Sequence, residues 1–318
     1  FIRTLLDMLK DGFLAYYPRI FIKVRNNMIS EEYLALLSEL VLFGKTPVFF
    51  INVPYDSNMN CTSWCDLMKD PPHAPLSTTL RAGTKCSITI NLPRIVSSGR
   101  GLSHGILKAR LRECVKGLNV IRQAITRYME INKQHFRVLT LEGYYQEQKD
   151  IYLIGLTGFD LVSRILNDGP LWEGKNVYEV AELLEELKEL VRNIGAKWKK
   201  ESLKHIMSNL AFFTPPPYSR CHRYFAMKDR VDYDYNAGFS LELGMYEKVR
   251  RKMGILAEEM DGNTLLHLFP SRGTSLRAIQ TLLRRCLDRM PASLRLLAIG
   301  RDFHSFTYTL PPDTGVSR

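Results

Sequence analysis

The chain has 318 residues, of which 45% are hydrophobic and 24% are charged, a composition typical of a globular protein with one large core or two smaller ones. No run approaches the roughly 18 apolar residues that a membrane span needs, so the sequence argues against a membrane partner, and we expect a cytoplasmic protein. The 44 Lys and Arg residues against 33 Asp and Glu give a net charge of +11, which favours polyanionic partners such as nucleic acid or nucleotide phosphates.

The first fifty residues predict a strand, a helix and a second strand. PRIFIKV (18–24) and TPVFFINV (46–53) are short apolar runs rich in β-branched and aromatic residues, which is typical of strands buried on both faces. The segment between them begins at the N-cap candidate Ser30, continues with helical apolar spacing and ends at Gly44. This βαβ pattern indicates a parallel pair within an α/β sheet or barrel.

The rest of the chain alternates predicted helices and strands. KCSITINLPRIV (85–96) is predicted to be a strand, and the apolar spacing from Leu102 to about His135 predicts a long amphipathic helix. A strand, a glycine turn and a helix are predicted over 150–168. A helix is predicted over 177–210, before the prolines from Pro215 onward. Further predicted elements are helices around 245–255 and 275–290 and a strand-like run at 294–300. The glycine-flanked segment GNTLLHLFP (262–270) lies between the two helices.

Three of the six cysteines lie between positions 61 and 86, and three interpretations of them compete. Cys61, Cys65, His73 and Cys86 are all competent zinc ligands, but their spacing fits no standard zinc finger. Free cysteines are also common as small buried apolar side chains. The third interpretation is redox or radical chemistry, because a cysteine cluster in a chain without a disulfide framework is often catalytic.

The order of eight motifs along the chain resembles the anaerobic (class III) ribonucleoside-triphosphate reductases of the glycyl-radical enzyme superfamily. TINLPRI is the most specific of these motifs. The motifs are YPRIFIKV (17–24), TPVFFINVPYD (46–56), NCTSWC (60–65), SITINLPRIV (87–96), YYQEQKDIYLIGLTGFD (144–160), AFFTPPPYSR (211–220), YNAGFSLELG (235–244) and GNTLLHLF (262–269).

The resemblance implies a single α/β domain over residues 1–318, formed as part of a ten-stranded glycyl-radical-enzyme-type α/β barrel. Residues 1–100 would supply strands and a cysteine-bearing finger loop, and residues 101–318 would supply helices and the second half-barrel. In this family the loop carries a thiyl-radical cysteine into the barrel. Cys65 is the best match to it and Cys61 the second choice. Such a radical takes a hydrogen atom from ribose only in a dry, oriented site.

The resemblance also implies substrate-binding residues. Asn91 in TINLPRI would face the cavity and bind ribose hydroxyls. The alternative, which the residues alone favour slightly, is that its side chain caps the strand end. TPPPYSR resembles a turn that opens a helix and receives substrate phosphates, with Thr214, Ser219 and Arg220 as the binding residues. The prolines of this segment remove backbone donors that a phosphate site would use. The alternative is that the prolines only end the preceding helix.

Two features of the family are missing from this sequence. Family members carry a four-cysteine zinc site and a glycyl-radical loop after the barrel, whereas residues 296–315 offer His304 and no thiol. The resemblance therefore implies no metal or cofactor carried by this chain. It implies a glycyl radical supplied by a missing segment or by a complementing chain, and a ribonucleotide as substrate. Self-association into a homo-oligomer is compatible with the sequence.

A second functional class stays open at this point. A catalytically degenerate relative would keep the scaffold and act as a basic nucleic-acid- or protein-binding module, because a fold does not dictate a function.

Overall fold

The computed structural model describes the larger part of the chain in segments. These are residues 3–4, 7–8, 21–24, 30–43, 48–52, 84–98, 104–141, 147, 150–215, 220–229, 240–261, 264–291, 294 and 296–300.

The N-terminal part forms the predicted βαβ unit. Strand β1 (Phe21–Val24) and strand β2 (Val48–Asn52) pair in parallel, and helix α1 (Glu31–Phe43) connects them. Ser30 caps the helix, since its Oγ accepts a hydrogen bond from the Tyr33 backbone N–H at 3.4 Å. The prediction for this segment is confirmed.

The middle of the chain builds a parallel three-stranded sheet with the order β3-β4-β5. Its elements are β3 (Thr84–Asn91), α2 (Leu92–Ser98), α3 (His104–Ile131), α4 (Lys133–Leu141), β4 (Ile151–Thr157), α5 (Phe159–Asn167), α6 (Asn176–Gly195), α7 (Glu201–Ser208) and β5 (Leu210–Phe213).

The C-terminal part completes a second sheet of five strands with the order β1-β2-β8-β7-β6. Strands β6, β7 and β8 are parallel to one another, whereas β8 pairs with β2 in the antiparallel sense. The elements are α8 (Arg220–Asp229), β6 (Ser240–Glu242), a 3₁₀ turn (Leu243–Met245), α9 (Tyr246–Glu259), β7 (Leu265–Phe269), α10 (Leu276–Asp288) and β8 (Leu296–Ile299).

Two predicted elements differ from the structure. The strand predicted over 85–96 ends at Asn91, because the Asn91 side chain accepts a hydrogen bond from the Arg94 backbone N–H at 3.2 Å and so begins a helix. Pro93 fits there because the first turn of a helix needs no intrahelical N–H donor. The helix predicted over 177–210 is divided between α6 and α7, and strand β5 begins at its end.

Each sheet has two distinct faces. Tyr152 and Ile154 on β4 belong to the main core, which also contains the buried residues of the surrounding helices. Leu153 instead packs with Ala211 and Phe213 in a separate cluster. Because successive strand residues point to opposite faces, this cluster marks a second face, which we call the inner face. In the five-stranded sheet the corresponding buried positions are Phe49, Ile51, Leu265, His267 and Ala298.

The described part of the chain is thus a mixed α/β fold with two sheets and no closed barrel. Within that part, no helix has the length and apolar character required to cross a bilayer.

Candidate functional site

Polar side chains lie at the carboxyl edge of the three-stranded sheet. β3 ends at Asn91, β4 ends at Thr157, and Thr214 follows β5 directly. Asn91 and Thr157 are Cα partners in the parallel ladder, so their side chains lie on the same face. Ligands of open α/β sheets bind outside the carboxyl ends of the strands. This edge is therefore the candidate site.

Asn91 lies at the centre of a small hydrogen-bond network. Its Nδ2 donates to Asp229 Oδ2 at 2.7 Å, and its Oδ1 accepts from the Arg94 backbone N–H. Arg94 Nη2 forms an ion pair with Asp229 Oδ1 at 2.7 Å. The end of α8 is thus attached to the end of β3, and the buried Asn91 is held in one orientation. Asn91 thus caps helix α2 at the end of strand β3. This is close to the capping role that the sequence suggested as the alternative to ribose binding.

Thr157 was not predicted to be a site residue, but the environment of its side chain is unusual. Its side chain is 0% exposed, and its Oγ1 has no hydrogen-bond partner among the described residues. Buried polar groups in proteins are nearly always hydrogen-bonded, so an unpaired hydroxyl calls for a reason. A single sequence contains no signal for this, because the lack of a partner depends on the tertiary structure.

Helix α5 begins immediately beyond Thr157. Gly158 has φ 88° and ψ 27°, a left-handed conformation that glycine adopts without strain, and it provides no side chain to cap the helix. The first helical carboxylate, Asp160, is occupied elsewhere: it accepts from the Leu171 backbone N–H at 3.0 Å and from Arg164 Nε at 2.8 Å. The first-turn N–H groups of α5 therefore lie at the candidate edge without a side-chain cap.

Thr214 is buried between the two sheets. It is 1% exposed, and its Oγ1 accepts a hydrogen bond from the Leu265 backbone N–H at 3.2 Å. Helix α8 begins at Arg220, in agreement with the prediction that TPPPYSR opens a helix. Ser219 and the Arg220 side chain lie outside the described residues, so the predicted phosphate contacts of this segment stay predictions.

The cysteines divide into two groups. Cys61 and Cys65, together with His73, fall in 53–83, outside the described residues, and their predicted roles stay predictions. Cys86 is half-buried near the start of β3, where its Sγ donates to the Leu118 carbonyl at 3.7 Å. Burial raises the pKa of this thiol to about 11. Because Cys86 packs against the main core and its thiol is hydrogen-bonded to a backbone carbonyl, we assign it a packing role.

A second polar cluster, which was not predicted from the sequence, lies at the amino edge of the same sheet. Lys85 and Asp150 form an ion pair at 3.2 Å, with side chains only 4% and 2% exposed. Arg122 Nη1 on α3 pairs with Glu147 Oε1 at 2.9 Å. The Tyr152 hydroxyl lies near these charges, and burial raises its pKa. The sequence does contain one signal for this cluster, since Lys85 and Asp150 are charged residues near the starts of two apolar strands.

His267 and Ser240 form a buried polar pair on the inner face of the five-stranded sheet. They are ladder partners on β7 and β6, and Ser240 Oγ lies 2.8 Å from His267 Nδ1. Both side chains are buried. The inner face of each sheet therefore has a few polar residues among buried apolar ones, whereas the opposite faces are apolar and packed against helices.

Comparison with known proteins gives a relationship at the level of structure. No protein-family model matches the chain, and no curated protein matches it in sequence. Among solved structures, one described as an anaerobic ribonucleotide reductase is 14% identical, with a TM-score of 0.59, over 94% of this chain and 49% of its own.

Two structures of the anaerobic ribonucleotide reductase from Thermotoga maritima agree with this. The form with MES in the active site is 15% identical with a TM-score of 0.61, over 93% of this chain and 51% of that one. The form with dATP bound in the specificity site is 14% identical with a TM-score of 0.58, over 93% of this chain and 50% of that one. The chain spans about half the length of these structures. In fold, it is similar to that half of an anaerobic ribonucleotide reductase.

Proposed function

We propose that this chain is a ribonucleotide reductase-like protein that binds ribonucleotides on the inner face of its sheets and reduces them through a thiyl radical on Cys65. The observation that carries the proposal is the similarity in fold to anaerobic ribonucleotide reductases over 93–94% of the chain. The polar carboxyl edge with Asn91 and Thr157 adds support, because a sugar needs hydrogen-bonding partners in a buried site.

The two sheets are, in this proposal, parts of a ten-stranded glycyl-radical-enzyme-type barrel. The antiparallel pairing of β2 with β8 supports this, because it joins strands from the two ends of the chain. The cysteine-bearing segment 53–83 follows β2 of one sheet and precedes β3 of the other. In this proposal the segment carries Cys65, or Cys61, to the inner face, because it connects the two sheets in the chain.

The chemistry requires a radical, a dry site and a reductant. The Cys65 thiyl radical takes a hydrogen atom from ribose, so that an S–H bond forms as a C–H bond breaks. The net reaction replaces a hydroxyl by hydrogen and releases water, and it consumes two electrons and two protons from an external reductant. The glycyl radical that oxidises Cys65 comes from another segment or a complementing chain. Asn91 would hold the ribose, and Thr214, Ser219 and Arg220 the phosphates.

A binding measurement tests the first half of the proposal. CTP or ATP at about a hundred times its dissociation constant should stabilise the folded chain by about 2.7 kcal/mol and raise its melting temperature. Inorganic triphosphate alone should give a smaller shift. Equal shifts with triphosphate and with nucleotide would mean that the protein binds only the phosphates.

A turnover measurement tests the second half. The chain is mixed anaerobically with a glycyl-radical-bearing chain, its activating enzyme, a reductant and CTP, and deoxycytidine triphosphate is quantified. Cys65→Ala should abolish the product, whereas the matched control Cys86→Ala should retain it, because Cys86 is a packing thiol. Product formation that survives Cys65→Ala would exclude Cys65 as the radical residue.

A basic binding module is the second candidate, and exposed residues on α3 and α4 favour it. Tyr128 is 60% exposed, and Arg127, Lys133 and Arg137 nearby in sequence are exposed as well. Aromatic and basic side chains together bind single-stranded nucleic acid by stacking and charge. Tight binding of a single-stranded oligonucleotide that weakens steeply with salt, combined with no nucleotide-induced stabilisation, would favour this candidate.

A further inference from the structure

The outward face of helix α3 exposes a row of apolar side chains. Val120, Tyr128 and Ile131 are 64%, 60% and 73% exposed, and Ala124 between them is exposed as well. Positions 120, 124, 128 and 131 have the spacing of neighbours on one side of a helix. Single apolar residues on a surface are ordinary, whereas an apolar row with charged residues beside it is typical of an interaction site.

The charged residues beside this row are mostly basic. Helix α3 has six Lys and Arg residues and two Glu residues, and one of the two, Glu113, is paired with Arg110. The exposed cations Arg112, Lys116 and Arg127 form no ion pair within the described part of the chain. Together with the apolar row they form what we call the α3 face. Its charge favours a partner surface that is acidic.

Helix α6 contacts α3 and exposes an acidic face of its own. Tyr178 on this face is 49% exposed. Lys188 of the same helix does not neutralise the face, because its Nζ donates to Glu259 on α9 at 3.1 Å. The glutamates that are exposed and form no ion pair with another described residue are Glu179, Glu182, Glu185 and Glu189. We call these glutamates and Tyr178 the α6 face.

The two faces match in length as well as in sign. At a rise of 1.5 Å per residue, Lys116 to Arg127 covers about 17 Å along α3 and Glu179 to Glu189 covers about 15 Å along α6. Because the two helices are neighbours, a two-fold axis that runs between them puts α3 of each copy against α6 of the other. Every contact then occurs twice, and the apolar row of each copy is covered.

We propose that two copies of this chain associate through these surfaces, the α3 face of one copy against the α6 face of the other. The inference concerns the outside of the molecule and is independent of the proposed function. A long polyanion is a poorer occupant of the same side of the molecule, because the carboxylates of the α6 face lie beside α3 and repel it.

Sedimentation equilibrium of the full chain measures the association. The wild type should form a dimer whose dissociation constant rises about tenfold or more from about 0.1 M to about 1 M salt, because the Debye length falls from about 10 Å to about 3 Å. A wild type that stays monomeric at the lower salt concentration overturns the inference.

Charge reversal tests which surfaces meet. Lys116→Glu with Arg127→Glu makes both faces acidic, whereas Glu182→Lys with Glu189→Lys makes both faces basic, so each double variant alone should be monomeric. An equimolar mixture of the two double variants should form dimers again, because each face then meets the opposite charge. The matched control, Arg277→Glu with Arg285→Glu, reverses two exposed arginines of α10 and should leave the dimer intact.

All of these substitutions are at exposed positions, so each variant should melt close to the wild-type temperature. A mixture that stays monomeric, or double variants that dimerise as well as the wild type, would overturn the inference. A monomeric wild type that binds a single-stranded oligonucleotide, and loses that binding in Lys116→Glu with Arg127→Glu, would also overturn it and would assign the α3 face to nucleic acid.

Discussion

Cys86 and Cys114 illustrate how burial controls a single side chain. Both thiols are half-buried, and burial raises the pKa of each to about 11. Only the thiolate reacts with alkylating reagents. We therefore expect iodoacetamide to modify both cysteines slowly in the native protein, with a rate that rises about thirtyfold from pH 8 to pH 9.5. An ordinary thiol of pKa about 8.5 gains only about fourfold over that interval.

Peptide mass spectrometry after timed labelling measures these rates. Labelling in denaturant is the control, because unfolding removes the burial and should make both cysteines react quickly. A native rate that gains only about fourfold between the two pH values would contradict burial as the controlling effect.

The residues of the candidate site were predictable to different degrees. Asn91 was identified from the TINLPRI motif, and the structure has it at the carboxyl edge of the sheet with its amide half used. Thr157 was not identified, because a threonine at the end of an apolar strand is ordinary in sequence. The Lys85–Asp150 ion pair was not predicted for a different reason, because it joins two residues that are far apart in the chain.

At the scale of elements, the bounds of a helix were predicted best where capping or turn residues stand at both of its ends. Ser30 and the glycine after α1 delimit a helix that agrees with prediction to within a residue. The NLPRIV segment was assigned to a strand because its apolar residues continue those of β3. In the structure this segment is helical, because the Asn91 side chain accepts a hydrogen bond from the Arg94 N–H and caps the helix. Capping overrode apolar patterning here.

Strand β4 gives a prediction about the closed layer beneath the candidate site. Gly155→Ala should lower the free energy of unfolding by about 1–3 kcal/mol, because overpacking a filled interior forces neighbours to move. The methyl group would clash with Thr89 Oγ1 and with the Pro215 ring. Chemical denaturation measures the effect.

Gly244→Ala is the matched control for this substitution. Gly244 lies in the 3₁₀ turn before α9, and a β-carbon there would meet no atom within 4 Å. Gly244→Ala should be neutral or stabilising by up to about 1 kcal/mol, because alanine restricts the unfolded chain. Equal effects of the two substitutions would show that the packing around Gly155 is looser than described.

At the scale of the whole molecule, local patterns predicted strands but not their partners. β1 and β2 were assigned to a parallel pair, which is correct, yet β2 also pairs antiparallel with β8 from the other end of the chain. Apolar periodicity contains no information about such long-range pairing. The order of motifs resembled that of anaerobic ribonucleotide reductases, and the structural comparison found a similarity in fold to those proteins.

Thr214 links the two sheets, and its replacement tests how strongly they depend on each other. Its Oγ1 accepts from the Leu265 N–H, so a single hydroxyl connects the end of β5 to the start of β7. Thr214→Val would leave that buried N–H unpaired and should cost about 1–3 kcal/mol, whereas Thr214→Ser keeps the oxygen and should cost less. Denaturant unfolding gives the free energies, and hydrogen exchange at the Leu265 amide should accelerate in the valine variant alone. Unchanged exchange and stability in Thr214→Val would mean that the sheets are held together by packing without this hydrogen bond.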